Sequence, residues 1–152
     1  MLTPEVPARL AADRESAESM IRARGVRVTA SRVAVLRAVN EQPHADADTL
    51  TQAVRSRLGA VSTQAVYDAL ALFKQLGLVR RIEPAGSPAR FETRVGDNHH
   101  HVTCRQCGTI ADVECPTGSP PCLTPPDAQD FVIDEAEVIY WGLCADCQQK
   151  PV

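Results

Sequence analysis

Residues 61–94 read VSTQAVYDALALFKQLGLVRRIEPAGSPARFETR, and the change of period inside this stretch decides the fold. Ser62 is placed to cap a helix whose apolar positions Val66, Leu70 and Phe73, with Ala69 and Leu76, fall on one side. Gly77 ends the run. Beyond it, the turn-rich EPAGSPA at residues 83–89 separates two short β-type segments, so a hairpin follows the helix directly.

Upstream, three more helical segments complete the pattern. Residues 8–24 are rich in helix formers and stop at Gly25. Thr29 caps a second helix that places Val33, Val35, Leu36 and Val39 largely on one face. After Pro43, either Asp46 or Asp48 caps a third, in which Leu50, Val54 and Leu58 recur at spacing four before Gly59. A leading helix, three short helices and a hairpin describe a winged helix-turn-helix. In this arrangement the helix that begins at Ser62 enters the major groove of DNA and the hairpin lies near the backbone.

Charge is divided in the same sense. Residues 1–91 carry 13 Lys and Arg against 9 Asp and Glu, whereas residues 92–152 carry 3 against 10. A basic half suits an anion such as nucleic acid, and an acidic half suits cations or a partner. No apolar run approaches the roughly 20 residues needed to span a bilayer. The N-terminal residues lack a basic stretch followed by an apolar one, so no membrane association and a cytoplasmic location are expected.

The acidic half changes character. HHVTC (100–104), TIADVE (109–114) and FVIDEAEVIYW (131–141) are β-branched or aromatic runs and predict strands. Between them, residues 115–129 hold five of the eleven prolines, which predicts a loop. All six cysteines lie here. Cys104-Arg-Gln-Cys107 and Cys144-Ala-Asp-Cys147 are two CxxC knuckles, and four thiolates from two such turns complete the closed tetrahedral shell of structural zinc. On a strand, His99 and His101 share one face and His100 points away. Joined by Asp112 and a carboxylate such as Glu92, they offer the mixed nitrogen and oxygen donors that suit Fe, Mn or Zn. Cys115 and Cys122 leave three readings open: a disulfide, a reactive redox pair, or no chemical role.

RVTASRVAVLRAV, AVYDALALFKQLGLV, ARFETRVGDNHHHVTCRQCG and YWGLCADC together resemble the ferric uptake regulator family of bacterial metal-dependent repressors, over about residues 20–147. Within it the chain resembles the actinobacterial type associated with catalase-peroxidase genes and oxidative stress. The resemblance implies an α+β protein with a winged-helix DNA-binding domain at 1–91, a hinge at 92–97, and a small α/β dimerisation domain with structural zinc at 98–152. It assigns Cys104, Cys107, Cys144 and Cys147 to zinc, and His44, Glu92, His99, His101 and Asp112 to a regulatory ion, Fe(II) or Mn(II), with Zn(II) an in vitro substitute. It places Arg27, Thr29 and Arg32 on phosphates, and Ser62, Thr63, Gln64 and Tyr67 on the recognition helix. It further implies a homodimer on palindromic double-stranded DNA that controls a catalase-peroxidase gene and its own gene.

Two departures stand out. The prolines are expected to shorten or abolish a helix that family members often carry between the second and third strands. The histidine that many place shortly before the last CxxC is missing, so no third metal site is predicted. Asp112 resembles the aspartate of the family's peroxide sensors, where iron sensors more commonly have glutamate. One route to a response then has peroxide, with Fe(II) bound, oxidise a ligand such as His99 or His101. Thiol oxidation at a knuckle or at Cys115 and Cys122 is the rival route. An iron-responsive uptake repressor is the alternative function. A zinc-ribbon interaction module would leave His44 and the basic half unexplained. A zinc enzyme would need HExxH or HxE with PCxxC, and both are absent, so no enzyme is expected.

Overall fold

The computed structural model describes residues 14–150. The chain separates into two compact units, Met1–Gly96 and Asp97–Val152.

The first unit contains α1 (Arg14–Ala23), α2 (Ala30–Glu41), β1 (Ala45–Asp46), α3 (Ala47–Leu58), α4 (Thr63–Gln75), β2 (Arg80–Ile82) and β3 (Arg90–Glu92). The three expected caps form. Thr29, Asp46 and Ser62 each accept a hydrogen bond from the backbone N–H three residues on, which satisfies a helix end that would otherwise lack a partner. At the far end of α4, Gly77 adopts φ +66°. Its N–H donates to the Lys74 carbonyl at 3.1 Å, and that of Leu78 reaches back to Phe73 at 2.9 Å. This Schellman closure turns the chain sharply into β2.

One core joins these helices. Ile21 of α1, Val35, Leu36 and Val39 of α2, Leu50 and Val54 of α3, and Val66, Leu70 and Phe73 of α4 are all buried in it, with Phe91 of β3. Each of the larger side chains contributes about 1.5–3 kcal/mol by leaving water. The antiparallel sheet has the order β1-β3-β2, and the β2–β3 hairpin is the wing. β1 was not anticipated: two residues are too few to show a period, yet Ala45 pairs with Phe91. Of the expected first helix, residues 8–13 lie outside the described residues.

The second unit contains β4 (His100–Cys104), β5 (Ile110–Val113), β6 (Ile139–Gly142) and the single turn α5 (Ala145–Gln148). Its sheet has the order β5-β4-β6, with β4 antiparallel to β5 and parallel to β6. No helix separates β5 from β6, as the prolines predict. The strand expected at 131–141 is mostly absent and only its end pairs, as β6. Phe131 and Val132 stand exposed, and the acidic Asp134, Glu135 and Glu137 interrupt the alternation that a half-buried strand needs. Apolar burial is sparse: among the described residues from 97 onward, only Cys104, Ile110 and Cys147 belong to the buried apolar set.

The Asp46 cap gives a test. The Thr49 N–H at 2.8 Å holds this carboxyl below its usual pKa, so its contribution is present at neutral pH and lost as pH falls through the lowered value. Asp46→Ala is expected to cost about 1 kcal/mol in urea unfolding at pH 7, and the difference from wild type should vanish in strong acid.

Candidate metal centres

The cysteine quartet follows from strand direction. Cys104 ends β4, and parallel pairing sets it opposite Gly142 of β6. Cys144 then lies two residues beyond β6, at the same end of the sheet as the first knuckle. The turn after Cys104 closes through the Gly108 N–H to the Cys104 carbonyl at 3.0 Å, with Gly108 at φ +74°. Arg105 donates its N–H to the Gly142 carbonyl at 2.8 Å and lays its guanidinium over Trp141.

The sulfurs of Cys104, Cys107, Cys144 and Cys147 all lie within 4.8 Å of one another, and those of Cys107 and Cys144 are 3.7 Å apart. With Zn–S bonds near 2.3 Å, a tetrahedral site has S···S edges of about 3.8 Å. The set therefore fits zinc. Backbone N–H groups of Cys107 and Cys144 pull the Cys104 thiol down to about 6, while Cys147, hydrogen-bonded to Cys144 and buried, is pushed up to about 12. Four sulfurs this close resist bearing four negative charges unless a cation joins them.

The histidine cluster divides over the two faces of β4. His101 pairs with Asp112 across the β4–β5 ladder. Nε2 atoms of His99 and His101 lie 3.7 and 3.5 Å from Asp112 Oδ1. Adjacent ligands of one ion, with bonds near 2.1 Å, stand about 3.4 Å apart. Asp97, missed by sequence reasoning, takes the Nδ1 proton of His99 at 2.6 Å. That bond fixes the tautomer that leaves Nε2 with a lone pair toward Asp112. Its only sequence signal is a carboxylate two positions before a ligand-type histidine. His100 points the other way, with Nε2 at 3.1 Å from Cys122 Sγ.

In the first unit, His44 and Glu92 meet. His44 has φ +66°, unusual for a residue with a Cβ, and donates its N–H to the Phe91 carbonyl at 2.8 Å. Its Nε2 thereby comes to 3.1 Å from Glu92 Oε2. Glu92 is 1% exposed, and a carboxylate so buried needs a hydrogen-bonded or charged partner.

The expected DNA contacts lie around the N-termini of α2 and α4. Arg27 is exposed in the turn before α2, and Arg32 donates to its carbonyl at 2.6 Å. Thr29 and Ser62 use their hydroxyls as helix caps. Thr63 receives Arg55 Nη2 at 3.2 Å, Gln64 is tied to Asp68 at 2.8 Å, and Tyr67 is 46% exposed. Arg55 was missed; its second bond, to the Val61 carbonyl at 3.0 Å, organises the turn between α3 and α4. Cys115 and Cys122 lie beside His100. The Thr117 hydroxyl holds the Cys115 thiol down to about 6.

A winged helix followed by a small cysteine-knuckled unit defines a class of metal-responsive transcriptional regulators, and their kind of site is not that of an enzyme. The chain belongs to the ferric uptake regulator family, whose model matches residues 23–119. It is 61% identical over 127 residues to the transcriptional regulator FurA of Mycobacterium tuberculosis, covering 84% of this chain and 86% of that one. It is 31% identical over 137 residues to the peroxide-responsive repressor PerR of Staphylococcus aureus, covering 90% and 92%. The fold resembles that of the Helicobacter pylori ferric uptake regulator Fur, with TM-score 0.67 at 17% identity, over 92% of this chain and 97% of that one. Among the described residues no helix is long and apolar enough to cross a membrane.

The Asp97–His99 bond generates a second test. Asp97→Asn should weaken Mn(II) binding about 10–100-fold, the usual loss when such a supporting carboxylate is removed. Tightly held zinc, measured by elemental analysis, should be unchanged.

Proposed function

We propose that the chain is a repressor that binds palindromic operator DNA as a homodimer while one divalent ion is shared by His44, Glu92, His99, His101 and Asp112. The observation that carries this reading is the division of the donors. A histidine–carboxylate pair belongs to the first unit and a second histidine–carboxylate set to the other, and the units part between Gly96 and Asp97. Imidazole and carboxylate donors suit Fe(II) or Mn(II), with Zn(II) able to substitute in vitro. Bound there, the ion supplies the positive charge that lets donors of both units stand together. Residues 92–97 act as the hinge, residues 1–91 as the DNA-binding domain and residues 98–152 as the dimerisation domain. A preference of about 5.5 kcal/mol for the DNA-competent arrangement moves its population from 1:99 to 99:1.

The four cysteines hold zinc permanently; apparent stabilisation in small zinc modules is about 10–16 kcal/mol, which offsets the sparse apolar burial of this unit. Phe131, Val132 and Leu123, exposed in the single chain, fit coverage by a second copy. Arg27, Thr29 and Arg32 contact phosphates, and Ser62, Thr63, Gln64 and Tyr67 face the major groove. The protein acts in the cytoplasm, where its thiols stay reduced.

The signal we assign is peroxide. Asp112 and the relative named peroxide-responsive repressor PerR support it, and a catalase-peroxidase gene with the chain's own gene are the expected targets. An iron-responsive uptake repressor would use the same donors, so the two readings part on chemistry. Zinc-loaded protein should bind its own upstream DNA only with Mn(II) or Fe(II) added, and peroxide should abolish binding irreversibly in the Fe(II) form alone. Reversal by a thiol reductant would move sensing to the cysteines. Indifference to peroxide would favour the iron-uptake reading, and binding without the second metal would contradict the shared-ion account.

Arg27→Ala should lower affinity for all sequences alike. The slope of log affinity against log salt should fall by about one.

A further inference from the structure

The face of β4 opposite Asp112 carries a second cluster. His100 is 1% exposed, and its Nε2 lies 3.1 Å from Cys122 Sγ. Cys115 completes the group: one donor atom from each of His100, Cys115 and Cys122 falls within 4.8 Å of the others. Asn98 Nδ2 donates to Cys115 Sγ at 3.2 Å, and the Nδ1 of His100 is buried without a hydrogen-bond partner among the described residues. A tetrahedral zinc site has N···S edges of about 3.6 Å and S···S edges of about 3.8 Å, so the three donors need only small adjustments to meet one ion.

We propose that His100, Cys115 and Cys122 form a third metal site, one for a thiophilic ion such as Zn(II), with water completing its shell. Two thiolates and an imidazole are softer than the donors around Asp112 and select zinc over iron or manganese. The placement gives the site a structural consequence. Residues 114–138 contain no helix or strand, and Cys115 and Cys122 bracket the proline-rich turn at the start of that segment. An ion held with His100 ties the segment to the sheet, with one donor from β4 and two from the loop.

The test is metal stoichiometry of the reduced, full-length dimer under anaerobic conditions, with Zn(II) and with Co(II) as a spectroscopic probe. The Cys115→Ser/Cys122→Ser double variant should bind one equivalent per chain less than wild type. Its thiolate-to-Co(II) charge-transfer intensity should fall by about one third, since six cysteine sulfurs become four. His100→Asn should lose the same equivalent, whereas His101→Ala, which removes a donor of the other face, should keep the full thiolate-to-Co(II) intensity of wild type. Retention of the four-cysteine zinc in every variant shows that the unit remains folded. Equal stoichiometry in wild type and the double variant overturns the proposal. So does a wild-type Co(II) spectrum matching that of four thiolates.

Discussion

The parallel pairing of β4 with β6 is the constraint on which the second unit depends. It alone brings the residues after Cys104 and those after Gly142 to one end of a sheet, and so gathers four sulfurs from two distant knuckles. A parallel ladder cannot close through a tight turn, and here the intervening connection is a proline-rich segment that buries little. With so few apolar side chains buried, backbone pairing and the sulfur cluster must carry the unit's order. The same strand then sorts three consecutive histidines by its period of two. His101, with His99 just before the strand, is directed to Asp112, and His100 to the cysteines of the loop.

The first unit stands on a different footing. It has a continuous apolar core shared by four helices and a strand, three satisfied caps, and a helix stop that aims the chain into the wing. That stability leaves it free to carry one strained feature, His44 in the left-handed region, held by the Phe91 carbonyl and the neighbouring β1–β3 pairing. Strain of this kind persists only where the surroundings impose it, and here it presents an imidazole to a buried carboxylate. The helical core of the first unit and the sulfur cluster of the second are thus ordered by different means.

The local features were legible in the sequence. Thr29, Asp46 and Ser62 announce helix starts, Gly77 announces a stop, and each CxxC spacing announces a turn that brings two sulfurs together, because each acts within four residues of itself. The pairing of His99 and His101 with Asp112 was legible for a related reason: strand alternation sorts faces before any partner is known. What the sequence hid is long-range or aperiodic. β1 is too short to show a pattern, and the apolar beginning of residues 131–141 promised a strand that its acidic residues did not sustain. Asp97 looked like any hinge carboxylate. His100 and Cys122 are 22 residues apart and are joined by proline-rich chain with no period, so their meeting could not be read from spacing.

The central claim is that donors of both units serve a single ion. Calorimetric titration of Mn(II) into zinc-loaded protein, comparing wild type with His44→Ala, His101→Ala and the double variant, tests it most directly. The account predicts that either single change weakens binding at least tenfold and that the double variant loses far less than the sum, because a broken shared site has little left to lose. Wild-type affinity in His44→Ala, with the whole loss confined to His101→Ala, would contradict it and leave the ion to the second unit alone.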